Sequence, residues 1–137
     1  MRPVLLDTSV IVALFNRSEE RHAECVAAVE NLEQSLVTCE AVITESCYLL
    51  RRVKGAPEVI LENVEQSIFQ IPFQLSQSAE AVRTIMRKHR DIPADFADAC
   101  LIHLAEVLGT GEILTLDRDF LSYRWRRTHR FELLVTV

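Results

Sequence analysis

Glycine is scarce in this chain: three residues in 137. Such a sequence has few free hinges, and with 49% apolar residues it excludes a disordered or linker-like protein. No Cys-x-x-Cys pair occurs among the four cysteines, Cys25, Cys39, Cys47 and Cys100. That spacing argues against a zinc ribbon or a dithiol redox motif. Cys47 and Cys100 stand in apolar helical surroundings, where a free thiol acts as a small hydrophobe. No apolar run reaches the length of a membrane span, and the N-terminus has no secretory leader pattern. A reduced, cytoplasmic protein without a membrane segment is therefore expected. Repeats, low-complexity tracts and linkers are also absent, so residues 1–137 are expected to form one domain.

Positive charge is in deficit overall, with a net charge of −5 and a pI near 5.4. This excludes broad electrostatic binding of nucleic acid but not a local basic patch. Two such groups exist: Arg83, Arg87, Lys88 and Arg90, and Arg118, Arg124, Arg126, Arg127 and Arg130. The stretch Tyr123-Arg124-Trp125-Arg126-Arg127 has the character of a grip for a phosphate backbone, although a solvated loop has the same composition. His22, His103 and His129 have no metal-ligand spacing and read as structural or surface residues.

What is present is an alternation of short apolar runs with helical patterns. Val4-Leu5-Leu6 reads as a buried parallel strand, and the run from Val10 to Phe15 as a helix. Helical spacing follows over 19–32, with His22, Cys25, Val26, Val29 and Leu32 on one face. Residues 36–38 are a short strand, 41–52 a helix, and 57–66 a helix opened by Pro57. The segment 68–73 fits a helix end or a strand; Pro72 would confine a strand there to an edge or a terminus. Ser76 reads as the N-cap of a helix reaching His89. Pro93 opens a helix over 93–108 that closes at Gly109. A strand over 112–116 ends at Asp117; a short helix or turn, a basic loop and a last strand over 131–137 complete the chain. The implied class is α/β, with a parallel sheet covered on both faces by helices.

Carboxylates interrupt this apolar pattern at four places. Asp7 ends the first strand, where open α/β sheets bind ligands. Asp117 ends the strand over 112–116. Glu45 and Asp98 each break a helix apolar over most of its circumference, so both are expected to be buried. No Lys or Arg stands between Asp91 and Glu106 to compensate Asp98, and Asp95 shares its helical face. Carboxylates gathered in one crevice repel: at ~4 Å and an effective dielectric of ~20, each pair costs about 4 kcal/mol. A divalent cation removes that cost, and all-oxygen ligation selects a hard ion, Mg²⁺ or Mn²⁺. Phosphodiester hydrolysis is the natural chemistry of such a site. Local roles compete with this reading. Asp7 and Asp117 have the positions of cap or turn residues, Asp119 that of a cap for the Phe120 segment, and Asp95 that of a carboxylate favoured by a helix dipole. Thr8, Ser9 and Thr115 read as local hydrogen-bonders around the acids, supporting them from behind.

Four motifs, in this order, resemble the PIN-domain family of metal-dependent ribonucleases, and within it the toxins of VapBC toxin–antitoxin pairs. They are Leu6-Asp7-Thr8-Ser9, Thr44-Glu45, Pro93-Ala94-Asp95-Phe96-Ala97-Asp98-Ala99 and Leu114-Thr115-Leu116-Asp117-Arg118-Asp119-Phe120. The resemblance covers nearly the whole chain. It implies a three-layer α/β/α sandwich with a central parallel sheet of four to five strands. It also implies a Mg²⁺ or Mn²⁺ site at the carboxyl edge, held by Asp7, Glu45, Asp98 and Asp117 with Asp95 as an extra acid. RNA as substrate, a homodimer and a small antitoxin as partner are implied by the resemblance alone. Rival readings fit less well. A haloacid-dehalogenase-type phosphatase needs an Asp where Ser9 stands, and a receiver domain needs a Lys after its last central strand. A non-catalytic binding module would have no use for all the matching acids.

Overall fold

The computed structural model describes residues 1–137. Its strands are β1 (Val4–Leu6), β2 (Leu36–Val37), β3 (Phe69–Gln70), β4 (Glu112–Leu114), β5 (Arg124–Trp125), β6 (His129–Arg130) and β7 (Glu132–Leu133). The helices are α1 (Thr8–Phe15), α2 (His22–Glu30), α3 (Glu40–Leu49), α4 (Ala56–Glu65), α5 (Leu75–Lys88) and α6 (Phe96–Leu108). Five strands form one sheet in the order β3-β2-β1-β4-β7, with every neighbouring pair parallel. Sheet and helices make a three-layer α/β/α architecture, as the alternation of patterns predicts. β1 is the centre: Val4, Leu5 and Leu6 have no exposed surface, and Leu5 and Leu6 pair with Ile113 and Leu114 of β4. A continuous apolar run with no polar alternation is what a strand flanked and covered on both faces requires. No helix is long and apolar enough to cross a membrane.

β3 lies at the sheet's edge, the place Pro72 reserves for it. Elsewhere the boundaries move, for physical reasons. α6 starts at Phe96 rather than Pro93, because Asp95 and Asp98 form a reciprocal capping box: each carboxylate accepts the other's backbone N–H. It stops at Gly109, whose φ of +67° suits a residue without Cβ. α5 starts at Leu75 with Gln74 as its cap residue, so Ser76 lies inside the helix instead of capping it. α3 ends at Leu49, shorter than the expected 41–52.

β4 ends at Leu114 because side chains replace the ladder beyond it. The Leu116 N–H donates to Ser9 Oγ (2.9 Å), and the Asp117 N–H to Thr115 Oγ1 (3.0 Å). The last strand shrinks to β7, although Phe131 and Val135 on either side of it stay in the core. The expected basic loop is a hairpin: β5 and β6 pair antiparallel, following a 3-10 turn at Arg118–Leu121.

Candidate active site

The strand order reverses direction between β1 and β4: β2 and β3 extend one way from β1, β4 and β7 the other. At such a switch point the connections leaving the two strands part, and their carboxyl ends open a crevice. Asp7 and Thr115 are the first residues beyond these two strands.

Asp7 is 6% exposed and is held from three sides. Its Oδ1 accepts the Thr8 N–H (2.8 Å), capping α1, and its Oδ2 accepts the Thr115 hydroxyl (2.6 Å). Ser9 Oγ lies 3.5 Å from both Asp7 Oδ2 and Thr115 Oγ1. The supporting hydroxyls of Ser9 and Thr115 thus bond as expected. The Thr8 hydroxyl is different: it is buried and finds no partner. Burial pushes the Asp7 carboxyl from 3.8 up to about 6, against the bonds from Thr115 and Thr8; the charges of Asp117 and Glu45 push the same way as burial.

Asp98, 9% exposed, sits in the first turn of α6. Its Oδ2 faces the Asp95 N–H at 3.4 Å and the Tyr123 hydroxyl at 3.2 Å. Burial, then the charges of Asp95 and Asp7, raise its carboxyl to about 7. Tyr123 has no exposed surface, and its hydroxyl also lies 3.3 Å from the Pro93 carbonyl. Burial and the neighbouring Asp98 charge hold the phenol protonated, so it acts as a donor. Phe120 and His89 fix its ring edge-on, with centroids 5.0 and 5.3 Å away. The sequence alone puts Tyr123 in a phosphate-gripping stretch. Its bond to Asp98 spans 25 residues and leaves no local signal.

The other acids are more open. Asp117 is half-buried; its Oδ1 accepts the Asp119 N–H (2.9 Å), so it caps the 3-10 turn as well. Asp119, expected as the cap there, lies inside that turn. Asp95 is exposed and spends Oδ1 on the Asp98 N–H (2.8 Å). Glu45 corrects the expectation of burial. α3 turns Thr44, Glu45, Tyr48 and Leu49 to solvent, because it packs through Val42, Ile43 and Ser46, with Ala41 and Cys47 half-buried beside them. Glu45 and Asp95 line one cleft of about 660 Å³ between α3 and the start of α6.

Charge therefore links all five acids: Asp117 and Glu45 act on Asp7, while Asp95 and Asp7 act on Asp98. They are near enough to repel, but no three carboxylates are drawn into the geometry of metal ligands. No base neutralises them, since the molecule's one ion pair joins Arg21 to Glu24. Buried carboxylates without a protein cation offer oxygen donors of the kind that suits a hard divalent ion. Trp125, in contrast, is no stacking platform: it is buried, and its indole N–H donates to the Arg130 carbonyl (3.1 Å).

Comparison with known proteins bears on the fold and the family. A solved structure of VapC20 from Mycobacterium tuberculosis, described as a Sarcin-Ricin loop cleaving toxin, superposes with a TM-score of 0.81. The match covers 92% of this chain and 98% of that one at 20% identity, a likeness of fold. Ribonuclease VapC26 of the same organism is 28% identical over 121 residues, 87% of this chain and 90% of that protein. The family model described as PIN domain matches residues 4–125, a span that holds the switch point and all five acids. On that match this chain belongs to the PIN-domain family.

Proposed function

We propose that this chain, as a single domain over residues 1–137, is a metal-dependent endoribonuclease that hydrolyses RNA phosphodiester bonds. The observation that carries the reading is the pair of buried carboxylates at the sheet's switch point, Asp7 and Asp98, with no protein cation to compensate them. The similarity to proteins named as a ribonuclease and as an RNA-cleaving toxin supports it.

In this reading Asp7, Asp98 and Asp117 hold a Mg²⁺ or Mn²⁺ ion, and Glu45 and Asp95 bind it directly or through water. When bound, the ion supplies charge neutralisation at the phosphate and a lowered pKa for attacking water. The chain's own residues prepare for that. Thr115 and the Thr8 N–H fix both oxygens of Asp7, and Tyr123 orients Asp98. Glu45, exposed and sharing its cleft with Asp95, orients water or takes its proton in this reading. The role of toxin, a small antitoxin as partner, a homodimer and a cytoplasmic location belong to the same proposal.

The test compares Asp7→Asn and Asp98→Asn with the parent, each checked for folding by circular dichroism, on RNA with Mg²⁺, Mn²⁺ or EDTA. Cleavage is expected from the parent with metal alone. A folded variant of either kind that cuts RNA at the parental rate would falsify the mechanism.

A further inference from the structure

A second groove, of about 640 Å³, runs between α5 and the segment that leads into the β5–β6 hairpin. Lys88 of α5 and Arg124 and Arg127 of the hairpin segment line it, with Glu80 and Glu106. None of the three cations is engaged in an ion pair, while the Arg124 guanidinium donates to the Leu121 and Tyr123 carbonyls (3.1 and 2.9 Å). Glu106 is already occupied, accepting the Arg126 N–H on Oε2 (2.9 Å). Three cations against two glutamates leave the groove's lining net positive in a chain of net charge −5.

The hairpin tip shows that the placement is costly. Arg126 and Arg127 both have left-handed backbones, with φ of +46° and +72°, where Gly or Asn is the ordinary occupant. Arg126 has a structural reason to be there: its guanidinium donates twice to the Glu106 carbonyl near the end of α6 (3.0 and 2.6 Å). Arg127 makes no bond within the molecule that would explain an arginine. Its backbone follows the turn between β5 and β6, and its side chain lines the groove. The groove backs onto the acid site through Tyr123, which has no exposed surface. His89 lines it and lies edge-on to Tyr123 at 5.3 Å, and the Tyr123 hydroxyl is 3.2 Å from Asp98 Oδ2.

From this geometry we infer that Lys88, Arg124 and Arg127 form the track for the phosphate backbone of single-stranded RNA next to the cleavage point. The inference rests on the nuclease reading. Only Ala81 and Ile85 give the groove apolar lining, too little to anchor the side chains of a peptide, whereas a phosphodiester backbone needs cations and polar groups.

The experiment measures binding of a fluorescent single-stranded RNA of about ten nucleotides, a length within the usual site range. It uses the Asp98→Asn background at several salt concentrations. Lys88→Gln combined with Arg127→Gln should weaken binding at low salt about ten-fold. It should also reduce the slope of log K against log salt by roughly 1.4, since each phosphate left without its cation removes about 0.7. Arg127→Gly should weaken RNA binding while raising the melting temperature, since it removes the strain together with the cation. Unchanged RNA affinity and slope in the folded double variant overturn the inference. So does unchanged RNA binding joined to weakened binding of a polyglutamate peptide, which would assign the groove to an acidic protein segment. If RNA cleavage by the parent persists in those cases, the nuclease reading stands without the groove. If the parent neither binds nor cuts RNA, both fall.

Discussion

Asp98 and Glu45 interrupt their helices in the same way, each a lone acid in an apolar run, yet the fold treats them differently. Asp98 is buried, bonded by Tyr123 and set in a capping box, and its carboxyl is raised to about 7. Glu45 is exposed and makes no bond in the molecule. Asp7 belongs with the first and Asp95, by its exposure, with the second. The site thus has an inner pair locked in place at an electrostatic cost and an outer pair at the surface, of which Glu45 is free to reorient while Asp95 is held by the Asp98 N–H. On the nuclease reading, the rigid inner pair would fix where a cation sits, and the adjustable Glu45 would adapt to what it carries.

The sharpest way to break this comparison is substitution at both levels. Asp98→Asn or Asp7→Asn should lower RNA cleavage by at least about 10³-fold. In metal-free buffer at pH 8 the same variants should melt higher than the parent, because a buried charge has been removed. Thr115→Val takes away the hydroxyl that donates to Asp7 and accepts from the Asp117 N–H. It should weaken Mn²⁺ binding by about 10- to 100-fold in calorimetry. Glu45→Gln should cost about ten-fold in cleavage and leave the melting temperature unchanged. Loss of stability in Glu45→Gln equal to that of a core mutation would show that the inner and outer distinction is wrong.

The pH dependence of stability sharpens the same contrast. Asp7 and Asp98 have folded values of about 6 and 7, above the unfolded value of 3.8. Between pH ~4 and ~7 the folded protein therefore holds more protons than the unfolded chain, so stability falls as pH rises through that window. In EDTA, melting should occur several degrees higher at pH 5 than at pH 8. Mg²⁺ or Mn²⁺ should recover the loss at pH 8 by mass action. A metal-free melting temperature that rises from pH 5 to pH 8 would contradict the raised values.

The alternation of patterns makes the sheet, its parallel sense and the crevice acids legible from the residues, because buried strands and strand-end carboxylates are strong local signals. Helix starts are less legible. Pro93 and Ser76 satisfy local preferences, but the reciprocal bonds of Asp95 and Asp98 decide where α6 begins. Glu45 misleads for a different reason: periodicity gives the apolar share of a helix, not how much of that share the neighbours cover. Tyr123 and the hairpin tip do not betray their roles in the sequence. The one acts across 25 residues, and the other depends on backbone angles that no residue preference favours.

The order β3-β2-β1-β4-β7 has a consequence for synthesis. Asp7 is made well before Thr115, Asp117 and Tyr123, which surround or complete its site. A ribosome-bound chain has no finished acid cluster until β4 and the turn after it have emerged and docked beside β1. On the nuclease reading, the polypeptide is thus harmless to nearby RNA until those later residues are made and docked, with topology alone serving as the safeguard.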